Sequence, residues 1–139
     1  MTMQLNSHLP LFLDLYKFHL SLTKKFECHL DGLGLTDFVI LYHLYHDQDD
    51  RMRRVDLARK MGLSPSAVTR QLLSMEKIGL VGRKANQNDA RSTFVTLKAG
   101  GRRKFEESMG RVNLFCDEVF GGLKPEDLKG FERVVRALM

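Results

Sequence analysis

A mainly helical fold with one small β-hairpin is what this chain of 139 residues predicts, and three observations carry the prediction. Apolar residues recur every three or four positions through most of its length, the period of a helix with a buried face. That period gives way to alternation only between Leu80 and Leu97. Helix punctuation is explicit as well: Ser64-Pro65 opens one segment, Gly62, Gly79 and Gly121-Gly122 close others, and Pro125 opens the last.

At 43% apolar and 28% charged residues, the composition is that of a folded chain, and the length suits a single domain. The most apolar stretch, Leu9 to Leu22, is interrupted by Pro10, Asp14, Lys17 and His19, so no membrane span is expected. The same interruptions, with no basic lead-in, argue against a signal peptide, and the expected location is cytoplasmic. Two cysteines, Cys28 and Cys116, do not make a disulfide scaffold.

The first helix is expected from about Leu9 to Leu30. Leu11, Leu15, Phe18, Leu22 and Phe26 form one apolar face, and Phe12, Leu13, Tyr16 and Leu20 widen it. A helix apolar around most of its circumference has two faces to bury, and a second subunit is expected on one of them. Asp31-Gly32-Leu33-Gly34 stops it. Thr36 suits the N-cap of a second helix to about His46, with Phe38, Leu41, Tyr42 and Leu44/Tyr45 inward. Asp47 to Asp50 is a polar connector. A short helix follows from about Val55 to Met61, and then the helix opened by Ser64-Pro65, with Val68, Leu72, Met75 and Ile78 inward. Leu80 to Lys84 and Ser92 to Leu97 pair as a hairpin around the polar tip 85–91. A long helix, about Ala99 to Phe120, carries the seam Phe105, Met109, Val112, Cys116 and Val119. The last helix bears Leu128, Phe131, Val134, Val135 and Leu138.

Charge is distributed unevenly over these elements. Residues 51–104 hold fourteen Lys and Arg against Asp56, Glu76 and Asp89, a balance of +11, while residues 1–50 carry −4 and residues 105–139 carry −2. A positive block between acidic flanks is the footprint of a polyanion-binding surface. The order helix, glycine turn, helix, charged hairpin is that of a winged helix-turn-helix, in which Ala58 lets the first two helices cross closely. The second helix of such a unit turns a polar face to base edges in the major groove. Here that face is Ser66, Thr69, Arg70, Gln71 and Ser74, the side-chain types that read bases and phosphates.

The segments Leu57-Ala58, Leu63-Ser64-Pro65-Ser66, Val68-Thr69-Arg70, Gly79-Leu80-Val81, Arg83, and Asp89-x-Arg91 followed by Val95-x-Leu97 closely resemble the core of the MarR family of bacterial transcriptional regulators. The flanking long helices share the family's order, so the resemblance covers nearly the whole chain. It implies one MarR-type domain over 1–139, with dimerisation helices in 1–34 and 99–139 and a winged helix-turn-helix in 35–98 whose wing is 80–97. It also implies a cytoplasmic homodimer whose first, fifth and sixth helices interlock on a pseudo-palindromic double-stranded DNA operator. The DNA-binding set it implies is Arg54, Ser64, Ser66, Thr69, Arg70, Gln71, Ser74, Arg83, Lys84, Asn86, Asp89 and Arg91. Asp89 would hold the Arg91 guanidinium by an ion pair, and Ser64 and Ser66 would bond phosphate. The family pattern further implies a repressor released by a small effector, aromatic or phenolic in kind, with Tyr16, His19, Phe38, Tyr42 and His43 as candidate lining; each of these five equally suits the core. Two departures stand out. Lys98 replaces the usual Thr before the long helix and is followed by Ala99-Gly100-Gly101, a loose start by propensity, and the wing carries one arginine where the family has two in succession.

Other readings are weaker. Among the five histidines His43 and His46 share a face, but none follows residue 46, so neither a metal nor a cofactor is expected. Redox sensing through Cys28 beside His29 stays open as an alternative, with Cys116 packed on the seam. No phosphate loop, nucleophile elbow or close acid pair outside the connector supports an enzyme. A protein-interaction or architectural DNA-binding winged helix is the remaining class. Arg70 and Arg91 favour the specific reader, since an interaction module would place an apolar patch there.

Overall fold

The computed structural model describes residues 1–30 and 32–139, and the helix signals are realised in order along them. Helix α1 covers Leu9–His29, α2 Leu35–Tyr45, β1 Arg51–Arg53, α3 Arg54–Met61, α4 Pro65–Lys77, β2 Val81–Ala85, β3 Thr93–Leu97, α5 Ala99–Phe120 and α6 Pro125–Leu138. The fold is mostly helical with a three-stranded antiparallel sheet ordered β1-β3-β2. Asp31, part of the expected stop after the first helix, lies outside the described residues; Gly32 beyond it has φ 76°. No helix among the described residues is long and apolar enough to cross a membrane. The chain divides into two compact units, Gly32–Met109 and Met1–Asp31 with Gly110–Met139.

In the 32–109 unit the core is built on α2, whose Ile40, Leu41 and Leu44 are completely buried. Leu57 and Ala58 of α3, Val68, Leu72 and Met75 of α4, and Val81 and Val95 of the sheet complete it. Ser64 caps α4, its Oγ accepting from the Ala67 N–H at 3.2 Å. Gly62 ends α3 in the left-handed region at φ 69° and so makes the turn between the two helices. Ile78, expected inward, is exposed: the helix ends at Lys77, and the chain there swings toward Gly79 at φ 78°. Helix α2 begins one residue before Thr36, with Gly34 rather than Thr36 at its N-cap. Strand β1 had no sequence signal, because Arg51-Met52-Arg53 is too short to show a period. Its pairing defines it, Met52 lying buried opposite Val95.

The glycines at the start of α5 serve packing. A Cβ on Gly101 would stand 2.1 Å from the Leu80 carbonyl oxygen and 2.8 Å from Leu97 Cδ1. Leu80 also accepts the Lys98 N–H at 3.1 Å, so the helix start lies against the strand that opens the wing. Gly101→Ala is therefore expected to destabilise by about 1–3 kcal/mol, read as a lower urea midpoint at unchanged slope. A wild-type midpoint would show that α5 moves aside freely.

In the other unit, Phe26 is buried with its ring edge-on to Phe115 at 5.2 Å, and Phe18 meets Phe131 at 6.3 Å. His29 Nε2 stands 2.5 Å from Glu118 Oε2, which holds the Glu118 carboxyl below its usual range. Most of the apolar surface of α1 is uncovered in the single chain: Leu11, Phe12, Leu13, Leu15, Tyr16, Phe18 and Leu20 are all exposed, and α6 buries no residue. Cys116 corrects the expectation of packing on the seam. Phe105 and Val112 are buried, but Cys116 is exposed, as is Cys28, because the single chain leaves this later part of α5 open.

Candidate nucleic-acid interface

Helix α4 presents its N-terminal turns beside the start of α3, and Arg54, Pro65, Ser66, Thr69 and Arg70 line one surface depression. Pro65 at the first helical position fixes where α4 begins, and Val68, Leu72 and Met75 lock its other face into the core. The polar face is therefore held on a rigid element. Thr69 Oγ1 donates to the Pro65 carbonyl at 2.8 Å, which uses its only proton. Ser64 and Ser66 lie with their hydroxyl oxygens 3.2 Å apart, and Ser74 is exposed farther along the helix.

Ion pairs sort the arginines of this unit into two sets. Asp56 takes Arg53 in a two-pronged pair, Nε at 2.7 Å and Nη2 at 3.2 Å, and takes Arg59 at 3.3 Å. The hydrogen bond from Arg53 is the largest cause holding the Asp56 carboxyl below its usual range. Arg83 pairs with Glu76 across α4 and β2, and Arg102 with Asp50. Among the described residues, no carboxylate lies within ion-pair distance of Arg54, Arg70, Lys84 or Arg91. All four are exposed.

The wing tip is a built turn. Asn86 donates to Ser92 Oγ at 3.0 Å, and its own Oδ1 accepts the Asn88 N–H at 3.0 Å. Asp89 Oδ1 accepts the Arg91 backbone N–H at 2.9 Å. This corrects the expected guanidinium pair: Asp89 shapes the backbone before Arg91, as Asp does in turns, and leaves the guanidinium exposed.

Two other expected contacts look different in place. Gln71 is half-buried and its amide donates to Asp37 on α2, because it sits past the edge of the exposed polar face, turned toward the core. Arg83 is already matched to Glu76, seven residues earlier in the chain. Among the aromatic candidates, Phe38 stacks on Phe105 at 5.5 Å, and Tyr42 packs against His46 at 4.4 Å and Phe105 at 6.3 Å. Burial, then the charges of Lys60 and His46, holds the His43 imidazole below its usual 6.5. Tyr16 and His19 are exposed on α1, in the other unit.

Sequence reasoning missed the Asp56 cluster and the contacts of Arg102. The i,i+3 spacing of Arg53, Asp56 and Arg59 was a legible signal for the first. For the second, the i,i+4 spacing to Glu106 was legible, but nothing local marked Asp50 and Tyr45, which lie more than fifty residues away.

Comparison with known proteins places this geometry. The profile described as MarR family matches residues 33–93. The uncharacterized HTH-type transcriptional regulator YdgJ of Bacillus subtilis is 32% identical over 103 residues, 74% of this chain and 61% of that protein. The chain spans 60–61% of the length of several curated relatives, YdgJ among them. The HTH-type transcriptional repressor Mb2911 of Mycobacterium bovis is 30% identical over 131 residues, 93% of each chain. Among solved structures, AbsC, a MarR family transcriptional regulator from Streptomyces coelicolor, superposes with a TM-score of 0.88 at 27% identity, covering 99% of this chain and 95% of its own. Sco3205 from the same organism, crystallised in complex with DNA, gives 0.87 at 22% identity over 99% and 89%. An organohalide-sensing regulator, RdhR-CbdbA1625, in its 2,4-dichlorophenol bound form gives 0.87 at 18% identity over 97% and 80%. The last two likenesses speak to the fold.

Proposed function

The chain belongs to the MarR family, and on that premise we propose that it is a dimeric, sequence-specific DNA-binding transcriptional regulator. The observation that carries this reading is the depression at the start of α4. There, Arg54 of α3 and Arg70 of α4, both exposed and without a carboxylate partner among the described residues, stand beside Ser66 and Thr69, and the other face of α4 is locked in the core. Such a surface attracts phosphate through its unmatched charge and reads base edges through Arg70. The arginines matched to Asp56 and Glu76 contribute less, since their charge is partly neutralised in the free protein.

In this reading the protein is a repressor on a pseudo-palindromic operator, each subunit setting α4 into a major groove. The wing lies along the adjacent minor groove, where the narrow groove's negative potential favours Arg91. A small aromatic or phenolic effector releases it. The aromatic lining offered by Phe38 and Tyr42, with the neutral-leaning imidazole of His43, supports that part, as does the dichlorophenol held by a regulator of the same fold. DNA-binding roles fall to Arg54, Ser66, Thr69, Arg70, Ser74, Lys84 and Arg91, with Ser64 capping the helix and Asn86 and Asp89 shaping the wing.

A salt titration tests the wing. Arg91→Ala should weaken binding and flatten the slope of log K against log[salt] by about one unit per subunit. It should also relax any preference for A·T-rich flanks while leaving the half-site sequence unchanged. An unchanged slope and flank preference would remove the wing from the DNA contact.

A further inference from the structure

Arg102 was not expected at any functional surface, yet its side chain meets three others, those of Tyr45, Asp50 and Glu106. It stands in the first turn of α5, five residues after the end of β3. Its guanidinium lies over the Tyr45 ring, 4.8 Å from the centroid, and pairs with the Asp50 carboxylate. Its Nη1 is also 3.9 Å from Glu106 Oε1, the oxygen that accepts the Tyr45 hydroxyl at 3.1 Å. The planar guanidinium is thus fixed on a face and at two edges, an arrangement that suits arginine and not lysine.

What Arg102 holds is the root of the wing. Asp50 has φ 52°, a left-handed conformation that places its carbonyl to accept the Leu97 N–H at 2.8 Å, at the end of β3. The next residue starts β1, where Arg51, Met52 and Arg53 lie opposite Thr96, Val95 and Phe94. Strand β3 is shared: β1 borders it on one side and β2, the other arm of the wing, on the other. A side chain that secures the Asp50 turn therefore secures the edge from which the wing extends toward Arg91.

We propose that Arg102 is a positioning residue for the wing: through Asp50 it fixes the root of β3, and with it the placement of Arg91, without touching DNA itself. This rests on the wing contact set out under the proposed function. The pair adds little to stability in its own right, because both side chains are about 40% exposed, and ion pairs at that exposure contribute little. Its effect belongs in the aim of the wing.

The test uses the full chain on the duplex recovered by selection from a random DNA pool. Asp50→Asn and Arg102→Ala are each measured with and without Arg91→Ala, by fluorescence anisotropy and thermal melting. Asparagine accepts a positive φ, so Asp50→Asn keeps the turn while removing the charge. Each variant is expected to weaken binding about tenfold when Arg91 is present. In the Arg91→Ala background each should weaken it less than about twofold, since the aim of an absent side chain no longer matters. Melting temperatures should stay near wild type, and Arg102→Lys, which keeps the charge and loses the stacked plane, should recover only part of the affinity. Equal losses in both backgrounds, or losses that follow the melting temperature, would overturn the proposal. If Arg102→Ala does not fold, Asp50→Asn carries the comparison alone. Wild-type affinity for Arg91→Ala would remove the wing contact and this proposal with it, while leaving binding through α4 in place.

Discussion

A chain carrying Phe12→Glu and Tyr16→Glu is expected to sediment as a monomer of 16.0 kDa, and the native chain is expected to sediment as a two-fold dimer of about 32 kDa. It is also expected to lose operator affinity by at least about a hundredfold, because linked half-site binding is what a dimer supplies. Phe12 and Tyr16 are four residues apart, on one face of α1, and are 65% and 60% exposed in the single chain. Leu13 and Leu20 are exposed on the same helix, and Phe131, Val134, Val135 and Leu138 on α6. Exposed apolar side chains in this number are expected to be covered by a second copy of the chain. Two carboxylates placed in it would stay charged and unpaired if the interface closed, so closing is disfavoured. The substitutions remove no buried contact within the chain, so helix content by circular dichroism should persist wherever the monomer folds alone. A dimer that survives both changes with its affinity intact would place the interface elsewhere.

Replacing Arg70 should cost roughly 1–3 kcal/mol on the specific site and little on random duplex. Arg70 is exposed, lines the depression with Ser66 and Thr69, and has no carboxylate partner among the described residues. An arginine so placed keeps its fork of donors for a base edge, and two parallel hydrogen bonds to one base discriminate more than any single phosphate contact. Arg83→Ala is the internal control. Its guanidinium is held by Glu76 from the same helix, so its loss frees an acid rather than a reader, and any effect should be similar on specific and random DNA. Equal losses from Arg70→Ala on both kinds of duplex would demote Arg70 to a backbone contact.

The architecture was legible where one residue type forces one local outcome. Ser64-Pro65 marked the start of α4 to the residue, Pro125 the start of α6, and the loss of helical period located β2 and β3. Long helices with a sustained apolar period were clear for the same reason: α5 runs from Ala99 to Phe120, as its pattern requires. Illegible features were those set by distant partners. Strand β1 exists through its pairing with β3, and three residues cannot carry a period of their own. At Gly100-Gly101, propensity suggested a loose helix start, whereas the packed chain shows Gly101 as the only kind of residue that fits beside the Leu80 carbonyl.

The same division runs through the candidate site. Residue types identified Ser66, Thr69, Arg70 and Arg91 as polar groups on an exposed helix face and a hairpin tip. They did not show that Gln71 turns inward to Asp37 or that Arg83 is taken by Glu76, since both partners belong to other turns of the fold. Nor did they show that Asp89 acts on the Arg91 backbone rather than on its guanidinium, a choice made by the geometry of the turn. Charge counted along a sequence overstates the charge available at a surface. Several of the fourteen basic residues between 51 and 104 are matched to Asp50, Asp56 and Glu76.

Selection of bound duplexes from a random DNA pool tests the central claim, that α4 reads sequence in two adjacent major grooves, most directly. The expected result is enrichment of an inverted repeat whose half-site centres lie about one helical turn, roughly 10 base pairs, or a multiple of it apart. The enriched duplex should outcompete random DNA by about a thousandfold or more at physiological salt. A pool that remains unenriched while still bound in a salt-dependent way would contradict the account, reducing the depression around Arg70 to a patch of charge that holds any phosphate backbone.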